Sequence, residues 1–282
     1  MSRRTLQELN LLDDFLFGEI MRNQKWGELF SRFLLETIFQ RKFGPLRVVP
    51  QKVYGGKDTG LHGARLDVFL EEAEEEGASC RASIYDVEPD QKKMSPGDIS
   101  RRTRFYHALI DADCLKSGAD YESLKDVIVI FILSDDPFGA DRMIYTIRSM
   151  CKEDPEMSYD DGAQTLFLYT KGTKGQAPKA LGQLLRYMEA SIAENAVNPE
   201  LEKIHHIVES VKRNKEVEIS YMKSWERDQE LVRQGREEER ENTERERRRA
   251  DQAEREAEQE KRKAEAKILA LEAELRKYRE KV

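Results

Sequence analysis

Two carboxylates, Asp67 and Glu88, sit on short segments that alternate between apolar and polar residues. In residues 64–70, Leu66, Val68 and Leu70 fall on one side of a period-two pattern, with Arg65, Asp67 and Phe69 on the other. In residues 83–90, Tyr85 and Val87 oppose Asp86 and Glu88. Such alternation marks half-buried strands. The spacer at 71–79, rich in Glu and carrying a Gly, suits a hairpin connection. Pairing of the two strands then points Asp67 and Glu88 from one sheet face into a shared shallow site. Two carboxylates in one site repel each other, and a divalent cation relieves the repulsion. Oxygen-only ligands with open positions favour magnesium, or manganese in its place.

The surrounding blocks extend the pattern. "LLDDFLFGEIM" precedes the first acid, and "RLDV" and "YDVEPD" carry the pair. "RRTRFYHALID", "VIVIFILSDDPFG" and "DDGAQTLFLYT" follow in order. Together, over residues 11–225, these blocks resemble the PD-(D/E)XK nuclease family transposases, also called recombination-promoting nucleases. The resemblance implies an α/β fold with a restriction-endonuclease-like core, a central mixed sheet flanked by helices, followed by a C-terminal helical extension. It also implies a magnesium-dependent DNA endonuclease of mobile-element type, with Asp67 and Glu88 as metal ligands and DNA as the partner.

One position departs from that family. Its pattern places Lys or Gln two residues after the Glu, and here the residue is Asp90. A lysine there orients and deprotonates the attacking water and offsets phosphate charge, which a carboxylate does not do. Lys92 returns to the face of Glu88 in an extended strand. Arg101, Arg102 and Arg104 follow on the next helix as further sources of charge and as phosphate contacts. The candidate catalytic set is therefore Asp67, Glu88, Asp90 and Lys92. Asp90 is expected to leave metal binding intact and to make cleavage weak or absent, with Asp90→Lys raising it.

The whole chain sets limits on this reading. It has 282 residues, and 37% of them are charged, with a net charge of −7. That balance argues against a generally basic DNA-coating protein but allows a local basic groove. Cys80, Cys114 and Cys151 are too widely spaced for a metal finger, and disulfides are not expected. No run approaches the roughly 20 apolar residues of a membrane helix. The N-terminus lacks an apolar signal region, so a cytoplasmic protein without a membrane partner is expected.

The elements that must position the acids are legible in outline. Residues 11–21 and 26–39 show helical spacing of apolar residues. Asp13 and Asp14 suit a helix N-terminus, and capping is favoured over a role for Asp14 or Glu19 as an extra site acid. Residues 46–53 form a strand candidate that Pro50 assigns to a sheet edge. The glycines from 55 to 63 lack a phosphate-loop signature and indicate a hairpin loop, with His62 solvated. Ser95 and Pro96 open a helix whose core residues are Ile99, Phe105, Ala108, Leu109 and Cys114. Its exposed side carries Arg101, Arg102, Arg104 and His107, with Tyr106 a core aromatic. Residues 126–133 form a continuous β-branched run, expected to be buried on both faces. Asp135 and Asp136 belong to a turn, and 142–148 and 165–169 are further strands.

From residue 180 the character becomes helical, through Leu181, Leu184, Leu185 and Met188. Asn198 and Pro199 then start a second helix bearing Leu201, Ile204, Ile207, Val208 and Val211. The adjacent His205 and His206 point in different directions and make no metal pair. Beyond residue 226, Ala250, Ala257, Ala264, Leu271 and Tyr278 recur every seven residues, joined by Ile268, Leu275 and Val282. That seam indicates a weak coiled coil or a solitary charged helix. The expected organisation is a nuclease-like α/β domain at 1–175, a helical part of the body at 176–225, and a long charged helix at 226–282 that offers a route to homo-oligomers. Two other functions fit the same residues. One is a DNA-binding or regulatory relative without catalysis, and the other is a scaffold assembled through the tail.

Overall fold

A computed structural model describes residues 4–54, 64–72 and 83–279. The chain forms an α/β body around a six-stranded mixed sheet, followed by a long C-terminal helix. The strands are β1 (Leu46–Tyr54), β2 (Ala64–Glu72), β3 (Ser83–Asp90), β4 (Asp126–Leu133), β5 (Ile144–Ile147) and β6 (Ala163–Tyr169), in the order β1-β2-β3-β4-β6-β5. β1, β2 and β3 pair antiparallel. β3, β4 and β6 run parallel, and β5 returns antiparallel on the far edge. Pro50 thus lies on an edge strand, the place in a sheet where a residue without an N–H is tolerated. The hairpin spacer beyond Glu72, the loop at 55–63 with His62, and Cys80 lie outside the described residues.

The helices cover both faces of the sheet. α1 (Asp14–Arg22), α2 (Gln24–Phe39), α4 (Lys179–Glu189) and α5 (Pro199–Lys212) share one apolar core with Val68, Tyr85, Ile130 and Leu168. α3 (Pro96–Cys114) closes a second core over the other face, with Val129, Phe131 and Phe167. β4 is buried almost from end to end because it contributes to both cores. Each Val, Ile or Phe so enclosed contributes about 1.5–3 kcal/mol of burial free energy.

Local signals set the helix ends. Asn23 caps α2 by accepting from the Lys25 and Trp26 amides, and Ser95 caps α3 at the Asp98 amide. Asn198 caps α5 at the Leu201 amide. α1 starts at Asp14, three residues later than its apolar spacing suggests. Leu11 and Leu12 are buried in the turn before it, where Asp13 accepts from the Asn10 amide and pairs with Arg4. The strand expected at 142–148 shortens to β5, and Asp136 closes the preceding turn by accepting from the Phe138 and Asp141 amides.

A single helix, α6 (Lys215–Arg279), ends the described chain. The chain divides into two compact units, residues 1–221 and 222–282. Tyr221, the last residue of the first unit, packs on Phe15 and donates to the Arg4 carbonyl. Residues 226–268 are all exposed, so this part of the helix has no core of its own. Val282 lies outside the described residues. Among the described residues, no helix is long and apolar enough to cross a membrane.

Candidate functional site

The carboxyl ends of parallel strands are where open α/β sheets gather binding groups. Here Glu88 and Asp90 lie at that end of β3, beside Phe131 and Leu133 of β4. The β2–β3 ladder stops one step short of them, at the Val68–Val87 pair. The next amide, of Asp67, donates instead to Glu88 Oε1 at 2.7 Å. A side chain has replaced the ladder, and the two acids meet where the strands part.

A matching irregularity in β1 explains the parting. Gln51 and Asp67 are absent from the β1–β2 ladder, although the pairs on either side keep one register. Gln51 adopts φ 53°, a left-handed conformation uncommon outside glycine. The disturbance turns both strands over. Leu46 and Val48 face the first core but Tyr54 the second, while Val68 and Leu70 face the first but Leu66 the second. The single face expected for Leu66, Val68 and Leu70 is therefore corrected, and Asp67 sits at the crossover.

α3 supplies the positive charge. Its buried stripe is Ile99, Thr103, Tyr106 and Ile110, and Arg102 flanks this stripe. Arg102 was expected on the exposed side but turns inward. Its Nη2 donates to Glu88 Oε2 at 2.9 Å and its Nη1 to Asp90 Oδ2 at 3.1 Å. Its Nε donates to the Tyr106 hydroxyl at 2.9 Å. Tyr106 stacks on Phe131, so its ring is core and only its hydroxyl reaches the acids. Arg101 and Arg104 are exposed. Lys92 is also exposed, and it joins the site through its amide, which donates to Asp90 Oδ1 at 2.7 Å. Asp90 thus holds Arg102 and the turn after β3 together.

The remaining acids crowd the same end. Asp86, on β3, is fully buried, and neither of its oxygens makes a hydrogen bond of ordinary geometry with a described residue. Burial, then the charges of Glu88 and Asp67, hold its carboxyl well above the ordinary range. Glu88 is 1% exposed, and burial and Asp67 push it up to about 8. Burial and Asp14 push Asp67 up to about 7. Asp14 keeps an exposed residue surface, yet its carboxyl faces crowded protein and Asp90, which raise it. Asp14 therefore acts in the field of the site rather than as a simple cap, and Glu19 is taken up by an ion pair with Arg22. Burial pulls Arg102 down, but Tyr106, Glu88 and Asp90 outweigh it, so the guanidinium stays charged.

Five carboxyls, at 14, 67, 86, 88 and 90, thus share a field offset by Arg102, Arg65 and Lys92. Excess buried acid of this kind, with an orphaned carboxyl at Asp86, suits a hard divalent cation. Among the described residues, no three His, Cys, Asp or Glu side chains are arranged to hold a metal ion, and Arg102 pairs with Glu88 and Asp90. Asp67 and Glu88 are the two carboxyls that could share an ion, with open positions left for water. Of the residues singled out by sequence, Asp67, Glu88, Asp90 and Arg102 come together. Lys92 stands at the rim, and no hydrogen bond joins Arg101 or Arg104 to these acids. Gln51 gave no sequence signal beyond its neighbour Pro50.

A comparison of the chain with protein-family models, with curated proteins and with solved structures finds no match in any of the three.

Proposed function

We propose that the chain is a metal-dependent DNA endonuclease with a restriction-endonuclease-like core, of the mobile-element type that its sequence blocks resemble. The observation that carries this reading is the junction of Asp67 and Glu88 where β2 and β3 part, with more buried acid around it than the nearby cations offset. Asp67 and Glu88 would hold magnesium or manganese, which when bound polarises a phosphodiester and lowers the pKa of an attacking water.

The chain's own residues do the rest. Cleavage builds negative charge on the phosphoryl oxygens, and a site must answer it with fixed positive charge. Arg102 is the group placed to do so, in the role the resemblance gives to a lysine at position 90. Asp90 serves as its anchor. Tyr106 restrains the guanidinium from the other side, and Arg101 lies exposed on the same helix for phosphate contact along a strand.

A second reading keeps DNA binding without cleavage. The observation favouring it is the guanidinium already lodged on Glu88 and Asp90. Nicking of a supercoiled plasmid with magnesium or manganese, run beside Asp67→Ala, separates the two. Nicking by the parent alone supports the endonuclease. DNA binding by both proteins with nicking by neither supports the second reading.

A further inference from the structure

Beneath α3, on the side away from the acids, lies a cavity of about 390 Å³. Thr165 and Phe167 of β6 form part of its floor, Arg104 and His107 of α3 one wall, and Arg148 and Phe138 the opposite side. The lining is mostly apolar with a few polar groups, the usual character of a small-molecule site.

Two of those polar groups, Arg104 and Arg148, have spare recognition capacity. His107 Nε2 meets Thr165 Oγ1 at 3.1 Å, which leaves Nδ1 buried and without a hydrogen-bond partner. Burial lowers the imidazole's affinity for a second proton, and Nδ1 has no surface open to the cavity. Asp161 is the charged group whose field reaches His107, and the Ser149 hydroxyl and the Ala163 amide already hold that carboxylate. Arg104 makes no hydrogen bond or ion pair with a described residue. Arg148 spends one donor on Gln164 Oε1 and keeps the others. Phe138 stands edge-on to Phe167 and Tyr145, at 5.2 and 5.0 Å, and remains 37% exposed, so ring surface is open to a stacking partner. Two guanidinium groups and an open aromatic are the complement of a base carrying a phosphate.

We infer that this cavity binds a single nucleotide, its phosphate between Arg104 and Arg148 and its base stacked on Phe138. The nucleotide is either free or the unpaired end of a DNA strand. The choice of nucleotide over other aromatic anions rests on the nucleic-acid reading above, but the pocket shares no residue with the acid site.

Calorimetric titration of the full chain in EDTA tests it, with dAMP, inorganic phosphate, deoxyadenosine and a short 5′-phosphorylated single strand as probes. Asp67→Ala runs beside the parent, so that failure of cleavage and failure of this pocket are read separately. dAMP should bind the parent and Asp67→Ala alike, and more tightly than phosphate or deoxyadenosine by at least about tenfold. Arg104→Ala and Phe138→Ala, both at exposed positions, should each weaken it at least about fivefold. Equal affinity for dAMP and the strand assigns the pocket to free nucleotides. Tighter strand binding with the same dependence on Arg104 and Phe138 assigns it to strand ends. No binding of either up to about 10 mM, or binding indifferent to both substitutions, overturns the inference.

Discussion

Arg102 Nη2 lies 2.9 Å from Glu88 Oε2, so a guanidinium holds the carboxylate that a divalent cation would need. An ion bound here would therefore compete with Arg102 for Glu88, and the two would act together only if Arg102 turned toward a phosphate. Removing it separates the two roles. Arg102→Ala should tighten manganese binding about tenfold, by deleting a positive charge next to the site. It should also slow nicking about a hundredfold, by deleting the charge that answers the phosphoryl oxygens. Lys92→Ala should change nicking less than about twofold, since its side chain is exposed and only its amide is held. Paired measurements of affinity and nicking rate check this, and an unchanged nicking rate in Arg102→Ala would remove Arg102 from the chemistry.

The acids impose a pH dependence whose sign is fixed. Asp67 and Glu88 start from 3.8 and 4.5, and burial with their neighbours raises them to about 7 and about 8. Between those limits the folded chain binds more protons than the unfolded chain. Stability is then full below about pH 4 and is lost as pH rises through about 7 and 8. Urea unfolding without metal should show this decline between pH 5 and 9. Manganese must displace the same protons, so its affinity should rise over the same window and its binding should release protons. A metal-free stability that climbs with pH would contradict the charge assignment.

Asp86 is the extreme case, since both oxygens are buried and neither makes a hydrogen bond of ordinary geometry with a described residue. Ionising it is costly, and its neutral form lies against Glu88. Asp86→Asn keeps the shape and a donor but cannot ionise. Thermal unfolding should find it within about 0.5 kcal/mol of the parent at pH 5 and more stable at pH 9. A loss of several kcal/mol at both pH values would show that the carboxylate itself is required.

Much of the frame was legible because its signals are local. The continuous apolar run at 126–133, the caps Ser95 and Asn198, and the stripes on α4 and α5 each appear as expected. The site was legible in its residues but not in its geometry. Alternation through Leu66, Val68 and Leu70 assumes an unbroken period, and the Gln51–Asp67 irregularity breaks it in both strands at once. No glycine marks that place. The sequence offers Arg102 both as a solvated residue of α3 and as a charge for the site, and its contacts with Glu88 and Asp90 of β3 turn it inward. Asp14 looked like a cap because its field from Asp67 and Asp90 is a tertiary property.

The tail should be dispensable for folding of the body. Residues 226–268 are exposed throughout, whereas Tyr221 is tied to Phe15 and Arg4. Deleting 227–282 should leave the body's melting temperature within about 2 °C of the parent, whereas Tyr221→Ala should lower it by several degrees. Sedimentation of both lengths reads the seam at Ala264, Ile268 and Leu271. A mass that falls from dimer to monomer on truncation assigns association to the tail, and unfolding of the truncated body would place the tail in its core.

On the reading proposed above, Asp67 and Glu88 together hold one divalent cation. Electron paramagnetic resonance of manganese titrated into the full chain at pH 8 tests it most directly, beside Asp67→Ala and Glu88→Gln. The parent should bind one manganese per chain, and each variant should lose at least about tenfold in affinity. Equal binding by the parent and Asp67→Ala, or no binding by the parent at millimolar manganese, would contradict it.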